Sequence, residues 1–359
     1  MLTPGILRSL ILLLWLVTAA ANVQAQNSRA FSAASYLERG NQWLAKGEWD
    51  RAIADYDMAI AFDAGAIAYY NRGVARQRKG DLSNAVSDYN RTIEMNPRYA
   101  NAYLNRGAIL YGQGQYKAAI SDFGRAIEIN PRDTRAWNNR GSALSDHGNL
   151  GAAIADFDEA IKLDPRNAEA WGNRCGALYR KGALDAAIAD CSRALRLDAH
   201  NAAALNSRGL ARQEKSELDG ALADFDRAIT LVPQQAVFYS NRGGAWLLKD
   251  EPGRALSDLN RALTLDPKLA GAWSNRGVAH LGMSNFPRAV ADFDQALKLN
   301  PRLADAYCSR GATWLAQGKL SEAEADFARC RSLGGTPKPE AERLLQESRK
   351  RLSGRTVRQ

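Results

Sequence analysis

Two residues of opposite charge return at a fixed interval along this chain. Nine of the arginines recur at intervals of 34 residues, apart from one interval of 33. An aspartate follows each of these nine arginines after 16 residues. The arginines are Arg39, Arg72, Arg106, Arg140, Arg174, Arg208, Arg242, Arg276 and Arg310, and the aspartates are Asp55, Asp88, Asp122, Asp156, Asp190, Asp224, Asp258, Asp292 and Asp326. Guanidinium and carboxylate groups pair in a bidentate, directional way. The spacing therefore predicts structural ion pairs, the alternative being a stripe of arginines that binds acidic ligands.

An asparagine stands directly before the arginine in six of the nine places. These residues are Asn71, Asn105, Asn139, Asn173, Asn241 and Asn275. A side-chain amide both donates and accepts hydrogen bonds, so it can hold a peptide backbone without reading its sequence. On a helix, one residue is rotated by about 100° from the next, which turns this column away from the paired aspartates. We interpret the column as partner contacts, with a hydrogen bond to the backbone of a neighbouring repeat as the alternative.

The segments that carry these residues repeat with the same period. The reference position is defined here as the residue after each arginine, which is glycine in eight repeats and Cys175 in the fifth. An aromatic ring usually lies four residues before it, alanine twelve residues after it, and Phe or Tyr usually sixteen residues after it. Apolar residues fall at helical spacing in two segments per repeat, which predicts two antiparallel helices. Neither helix can bury its apolar face alone, so the repeats must stack.

These columns resemble those of the tetratricopeptide repeat family, over about residues 33–334. The resemblance implies an all-α, right-handed superhelical solenoid of about nine helical hairpins. In that family the first helix of each hairpin lines a concave groove that holds peptides or protein surfaces. The chain departs from the family pattern in having arginine where leucine is common before the glycine. It also lacks one residue around positions 62–67, which should change the joint between the first two repeats.

The groove face that this resemblance implies changes in character along the chain. It is largely apolar or aromatic at first, then polar, then apolar again. The candidate groove residues are Tyr70, Tyr111, Arg135, Asn138, Tyr179, Leu247 and Leu281. This order favours a long partner segment over a small ligand. The alternative is that the leucines pack between adjacent repeats.

The four cysteines fall into two pairs, each within one repeat. Cys175 and Cys191 share the fifth repeat, and Cys308 and Cys330 share the ninth. Each pair would lie at similar heights across one hairpin, which favours two disulfides, with buried free thiols as the alternative. No histidine lies at ligand spacing from either pair, so we expect no metal and no cofactor. Neither a phosphate-binding loop nor a nucleophile motif occurs, and we predict no catalysis.

The two ends of the chain differ from the repeats. Residues 1–25 have the pattern of an export signal, with Arg8 before the apolar run Leu10–Val17 and a cleavage site after Ala25. We therefore expect a periplasmic or secreted protein, an uncleaved anchor being the alternative. We expect residues 26–32 to form a flexible lead and residues 335–359 to form a basic capping helix and tail. From Lys338 to Arg358 there are seven basic residues and three glutamates. This end predicts a helix that only caps the last repeat, the alternative being a cap whose basic end also contacts anionic lipid, weakly, or an acidic partner.

The formal net charge is +9, but the repeats are close to balanced, so no nucleic-acid partner is expected. Taken together, the sequence predicts a monomeric, non-catalytic scaffold or adaptor. It would bind an extended or helical segment of a protein partner in its groove. Two alternatives remain, which are a self-associating structural array at the cell envelope and an accessory subunit of an envelope enzyme complex.

Overall fold

The structure is a computed structural model that describes residues 32–356, with side chains described as far as residue 349. This part of the chain contains 19 α-helices and no β-strand, so the all-α prediction is confirmed. The expected export signal, residues 1–25, lies outside the described residues, as does the expected flexible lead apart from Ser32. Between residues 32 and 356, no helix is both long and apolar enough to cross a membrane.

The first of two compact units is Met1–Pro165, and its described part consists of four helical hairpins. The hairpins are α1 Ala33–Ala45 with α2 Trp49–Ala61, α3 Ala66–Lys79 with α4 Leu82–Met95, α5 Ala100–Gly112 with α6 Tyr116–Ile129, and α7 Thr134–Asp146 with α8 Leu150–Leu163. Odd numbers are first helices and even numbers are second helices. Each second helix also packs against the first helix of the next hairpin in the unit.

The second unit, Arg166–Gln359, contains five hairpins and a C-terminal helix. The elements are α9 Ala168–Arg180 with α10 Leu184–Leu197, α11 Ala202–Glu214 with α12 Leu218–Leu231, α13 Ala236–Leu248 with α14 Pro252–Leu265, α15 Ala270–Gly282 with α16 Phe286–Leu299, α17 Ala304–Ala316 with α18 Leu320–Ser332, and α19 Pro339–Thr356. Paired helices predicted from the repeat are therefore confirmed. The handedness of the superhelix stays a prediction.

The turn inside each hairpin needs a residue in the left-handed region of the backbone map. Gly80 has a φ of 90° at this place in the second hairpin. Three later hairpins manage without glycine, since Ser216, Asp250 and Ser284 have φ values of 62°, 58° and 57°. In these three repeats the turn therefore has the same backbone conformation but no glycine to indicate it in the sequence.

The reference glycine marks the closest approach of the two helices in a hairpin. A Cβ atom added to Gly277 would lie 2.7 Å from Cε1 of Phe293, which is fully buried in the facing helix. Eight hairpins repeat this contact between a glycine and a large side chain sixteen residues later. Those side chains are Tyr56, Tyr89, Phe123, Phe157, Phe225, Leu259, Phe293 and Phe327, and each is at most 1% exposed. Burying one such side chain contributes about 1.5–3 kcal/mol, so this column forms the centre of each hairpin.

The C-terminal helix covers the last hairpin. Ala341 and Leu345 on α19 are buried against Phe327 of α18. Ahead of α19, Gly335 packs so closely on Cys330 that an added Cβ would lie 2.7 Å from its sulfur. The chain segment before α19 thus fills space that the next hairpin would occupy, and α19 itself packs on both α17 and α18.

Two adjacent glycines in α13 test this packing. Gly243 faces Leu259, whose Cγ would lie 2.8 Å from an added Cβ, whereas the nearest atom to a Cβ on Gly244 would be 3.5 Å away. Gly244→Ala should stabilise the protein by about 0.5–1 kcal/mol, because alanine favours the helix. Gly243→Ala gains the same helix preference but should be destabilised relative to Gly244→Ala by about 1–3 kcal/mol through overpacking. Urea denaturation measures both, and equal shifts would contradict the close-approach account.

Candidate partner-binding surface

In every hairpin the arginine of the first helix holds the aspartate of the second helix with two hydrogen bonds. Arg208 donates from Nε to Oδ2 of Asp224 at 2.8 Å and from Nη2 to Oδ1 at 2.6 Å. The same two-pronged bond joins the other eight pairs. All nine aspartates are buried, with exposed fractions of 7% or less. These guanidinium groups therefore serve internal pairs rather than an open stripe for acidic ligands.

The third nitrogen of the arginine reaches back to the preceding hairpin. Arg242 donates from Nη1 to Oδ1 of Asp226 on α12 at 2.7 Å. Equivalent bonds join Arg72 to Asp57, Arg106 to Asn90, Arg208 to Ser192, Arg276 to Asn260 and Arg310 to Asp294. Hydrogen bonds to Asp258, and then to Asp226, raise the pKa of Arg242. Each such arginine ties three helices together, a role that the sequence analysis missed although the partner column repeats with the same period.

The flat face of the arginine is covered by the aromatic ring three residues before it. The guanidinium carbon of Arg276 lies 4.5 Å from the centre of the Trp273 ring. Seven other hairpins show the same stacking, at 4.7–5.8 Å. The exception is the sixth hairpin, which has Leu205 in the ring position. The ring column thus supports the ion pairs through cation–π contacts.

The asparagine column makes side-chain contacts with the preceding repeat. Asn241 donates from Nδ2 to Oδ1 of Asn206 at 2.8 Å. Asn105 donates to the hydroxyl oxygens of Tyr70 and Tyr89 at 3.2 and 3.4 Å. In the second hairpin, Asn71 donates to Asn41, while Asn139, Asn173 and Asn275 lie half-buried at the equivalent places of α7, α9 and α15. The observed neighbour contacts use side chains, whereas the alternative considered from sequence was a backbone bond.

Two groove tyrosines link neighbouring first helices. Tyr111 on α5 donates its hydroxyl proton to Asp146 on α7 at 2.6 Å, and Tyr179 on α9 donates to Glu214 on α11 at 2.8 Å. Burial, with a contribution from Glu214, raises the pKa of Tyr179 to about 12. Burial likewise raises the pKa of Tyr111. Both hydroxyl groups stay protonated at neutral pH and act as donors within the array.

The remaining candidate groove residues differ in their exposure and in their contacts. Arg135 is exposed and is held by Asp133, whose carboxylate accepts from Nε and Nη2 at 2.9 and 2.6 Å. This bond lowers the pKa of Asp133. Leu247 is half-buried and packs against the cluster that contains Leu259. Asn138 is only 2% exposed, which corrects its assignment as a partner contact. Its counterparts Leu104, Ser240 and Ser274 are buried as well, whereas Tyr70 and Asn206 at the same position of α3 and α11 are half-buried.

The last groove candidate, Leu281, lines a cleft between α15, α17 and α19. The cleft has a volume of about 650 Å³, within the ~300–1,000 Å³ range of ligand sites in proteins. Its aliphatic walls are formed by Val278, Leu281, Ala312, Leu315, Ala341 and Leu344. Its polar margin includes Asp305, Ser309, Lys338, Glu340 and Ser348. We call this site the α19 cleft, because the C-terminal helix α19 forms one wall and the first helices α15 and α17 form the others.

Both cysteine pairs lie at disulfide-bonding distance. The Cα atoms are 5.3 Å apart in Cys175–Cys191 and 5.4 Å apart in Cys308–Cys330, inside the ~4.4–6.8 Å range of disulfides. Cys175 and Cys191 are fully buried and replace the glycine and the large side chain of the hairpin centre. Cys308 contributes to the floor of the α19 cleft. The glycine position of Cys175 was recognised from the sequence, whereas the ring position of Cys191 was not.

Within residues 32–349, no group of three His, Cys, Asp or Glu side chains is arranged so that it could hold a metal ion. His280 is half-buried, with Nε2 at 3.9 Å from Oδ2 of Asp292. Burial lowers the pKa of His280, so the imidazole is neutral at pH 7.

Family models of the tetratricopeptide repeat match most of the array. Models described as "Tetratricopeptide repeat" match residues 138–204, 206–270, 100–133 and 270–303, and one described as "TPR repeat" matches residues 78–114. Together these matches span more than half of the chain. No curated protein matches the sequence.

Three solved structures illustrate the similarity of fold. A chain of the APC/C hetero-tetramer Cut9–Hcn1 has a TM-score of 0.62 and 16% identity, covering 88% of this chain and 76% of its own length. A tetratricopeptide repeat protein from Parabacteroides merdae has a TM-score of 0.57 and 19% identity, covering 69% and 98%. Pseudomonas aeruginosa pilF has a TM-score of 0.51 and 18% identity, covering 61% and 99%. At these identities the likeness concerns the fold alone.

One arginine offers a matched test of its two partners. Arg242 binds the buried Asp258, which is 6% exposed, and also Asp226, whose side chain is 57% exposed. Asp258→Ala should lower the free energy of unfolding by about 3 kcal/mol, because it leaves the guanidinium partly buried without its main partner. Asp226→Ala should cost less than about 1 kcal/mol. Chemical denaturation measures both losses, and a larger loss for Asp226→Ala would refute this ranking.

The disulfide in the fifth hairpin should be interchangeable with the packing found in its neighbours. We expect Cys175→Gly combined with Cys191→Phe to retain the free energy of unfolding within about 1 kcal/mol, because the pair restores the glycine–ring contact. Cys175→Ala with Cys191→Ala should lose about 3 kcal/mol through the missing cross-link. Thermal or chemical denaturation under oxidising conditions compares the two double variants. If both are equally unstable, the two arrangements are not equivalent.

Proposed function

Because the chain belongs to the tetratricopeptide repeat family, we propose that it is a non-catalytic scaffold that binds a segment of a protein partner outside the cytoplasm. Repeat arrays of this family serve in protein–protein interaction in general. The finer proposal of a groove-bound segment is supported by the α19 cleft. The proposed location rests on the export pattern of residues 1–25. The proposed lack of catalysis rests on the absence of catalytic motifs from the sequence.

The α19 cleft carries the proposal because it leaves aliphatic side chains in contact with water. Leu344 is 48% exposed although it lines the cleft, and Leu281 and Leu315 are only half-buried. An apolar side chain inserted between α15 and α19 would remove these groups from water, a gain of about 25 cal/mol for each Å² buried. The three helical walls suit a partner segment whose apolar side chains recur along one side.

Polar groups beside the cleft would fix the orientation of such a segment. Asp305, Glu340 and Lys338 lie along the cleft margin and are exposed. On neighbouring first helices, Asn241 uses one N–H group for Asn206. A side-chain amide has two donor hydrogens and an acceptor oxygen, so the asparagine column can serve both the array and a partner backbone.

The role of the cleft can be tested with two exposed leucines of the same unit. Leu344 lines the cleft, whereas Leu248 at the end of α13 is 60% exposed outside it. Peptides selected from a random display library on the immobilised chain would be synthesised with a fluorophore and titrated by fluorescence polarisation. Leu344→Glu should weaken their binding at least about tenfold, because a carboxylate would be desolvated among aliphatic groups. Leu248→Glu should leave binding unchanged.

Equal effects of the two substitutions would refute a specific role for the cleft. Light scattering of the parent chain separates the alternative function, since a scaffold of this kind is expected to be monomeric. A concentration-dependent rise in mass that Leu344→Glu abolishes would favour the self-associating array instead.

A further inference from the structure

The outer face of the second helices differs between the two units. We define the outer stripe as the residues 18 and 21 positions after each reference position. In the second unit, its charged members are Arg193, Arg196, Arg227, Arg261, Lys298 and Arg329. The other members are Thr230, Thr264, Gln295 and Ser332, so this stripe contains no acidic residue. All of its basic side chains are exposed except Arg193, which is half-buried.

In three of the four hairpins of the first unit the same positions carry an ion pair, and in the first hairpin they are the uncharged Met58 and Ala61. Arg91 lies 3.0 Å from Glu94, and Arg125 lies 2.5 Å from Glu128. In the fourth hairpin the order is reversed, with Lys162 at 3.1 Å from Glu159. Each pair joins neighbouring turns of one helix. In the first unit the charges of the stripe therefore neutralise each other, whereas in the second unit the stripe has no acidic residue that could do so.

The six basic side chains of the outer stripe in the second unit have no acidic partner among residues 166–349. Within residues 166–349, none of the six lies within 4.0 Å of a carboxylate; Arg227 donates to the backbone oxygen of Ala199, and Arg329 lies near the Tyr307 ring. Four acidic side chains on these second helices serve other bonds. Asp185 and Asp219 bind Lys215 and Lys249, and Asp226 and Asp294 bind the arginines of the next hairpins. The positive charge of the stripe is thus left uncompensated.

The charge of the whole unit agrees with this local pattern. Residues 166–349 contain 26 basic and 22 acidic side chains, whereas residues 32–165 contain 16 basic and 17 acidic ones. The excess of basic residues in the repeats therefore lies in the second unit, although the repeats as a whole are nearly balanced. This distribution could not be seen from the total alone.

An apolar edge runs beside the basic stripe. The residue that follows each second member of the stripe is a leucine, in the order Leu197, Leu231, Leu265, Leu299 and Leu333. Leu299 is 36% exposed, and Val232 beside Leu231 is 41% exposed. Basic side chains flanked by partly exposed aliphatic ones are typical of surfaces that lie on a membrane, where the charges meet phosphate groups and the apolar groups meet the acyl boundary.

We propose that the outer stripe docks the second unit on an anionic phospholipid surface. Each basic side chain near such a surface strengthens binding by about fivefold, so six of them suffice for docking. The stripe repeats at one position of successive helices, and small residues such as Ala189, Ala223 and Ser257 lie one turn before it. A regular row of charges preceded by small side chains fits a flat anionic surface. The proposal is independent of the α19 cleft, which involves first helices.

The first unit itself supplies the design of the test. Thr230→Glu with Thr264→Glu would place glutamates where Glu94 and Glu128 stand, pairing Arg227 and Arg261 within their helices. With phosphatidylcholine vesicles that contain phosphatidylglycerol, the full chain should bind, and this variant should bind at least about tenfold more weakly. Thr230→Gln with Thr264→Gln should bind like the parent. The two variants share one N-terminus and one basic tail, so their difference reports the stripe alone.

Further measurements distinguish binding by the stripe from uncharged binding and from binding by the basic tail. Pure phosphatidylcholine vesicles should retain far less protein, and added salt should release it from the anionic ones. Arg351→Glu with Arg355→Glu and Arg358→Glu reverses the charge of the tail and should leave most binding in place. Equal binding of the glutamate and glutamine variants, complete loss in the tail variant, or tighter binding to a DNA duplex than to vesicles would each overturn the proposal.

Discussion

The buried carboxylates of the second helices impose the main constraint on this structure. A carboxylate removed from water is costly unless it is paired and fully hydrogen-bonded, and nine of them lie inside the hairpins. The arginine that meets this requirement must reach across the hairpin at one height only, which fixes the register of the two helices. In six hairpins its remaining nitrogen also bonds the preceding hairpin, and in eight hairpins an aromatic ring covers its flat face. One residue per repeat thereby specifies contacts at three levels.

Interactions that stay within one repeat could be predicted from the sequence, whereas those that cross between repeats could not. Arg208 and Asp224 could be paired because a constant separation on two antiparallel helices puts both at the same height. The bond from Arg208 to Ser192 depends on how successive hairpins stack, and no spacing within a repeat reveals it. Asn138 was misjudged for the same reason, since neighbouring helices decide which part of a first helix is covered.

The end of the array shows how a local ending can create a site. After α18 no further hairpin follows in the described chain, and Gly335 packs on Cys330 in its place. The helix α19 then closes one side of a cleft whose other sides belong to α15 and α17. The sequence indicated a cap that shields the last repeat, because an amphipathic helix after a helix stop has that general role. The shape of the space beneath it depends on the angle of approach, which a hydrophobic pattern does not contain.

Gly124 on α6 makes the junction of α6 and α7 differ from the other junctions of the first unit. It stands where the other hairpins that receive a third arginine bond have Asp, Asn or Ser, and Arg140 of the next hairpin lies 3.6 Å from the place of its missing Cβ. In repeat proteins each interface contributes its own term to the total stability. The junction of α6 and α7 lacks a hydrogen bond that both earlier junctions of this unit possess, so we expect its interface to lack the roughly 1 kcal/mol that such a bond contributes. A single absent side chain thus makes one junction of a regular array differ from its neighbours.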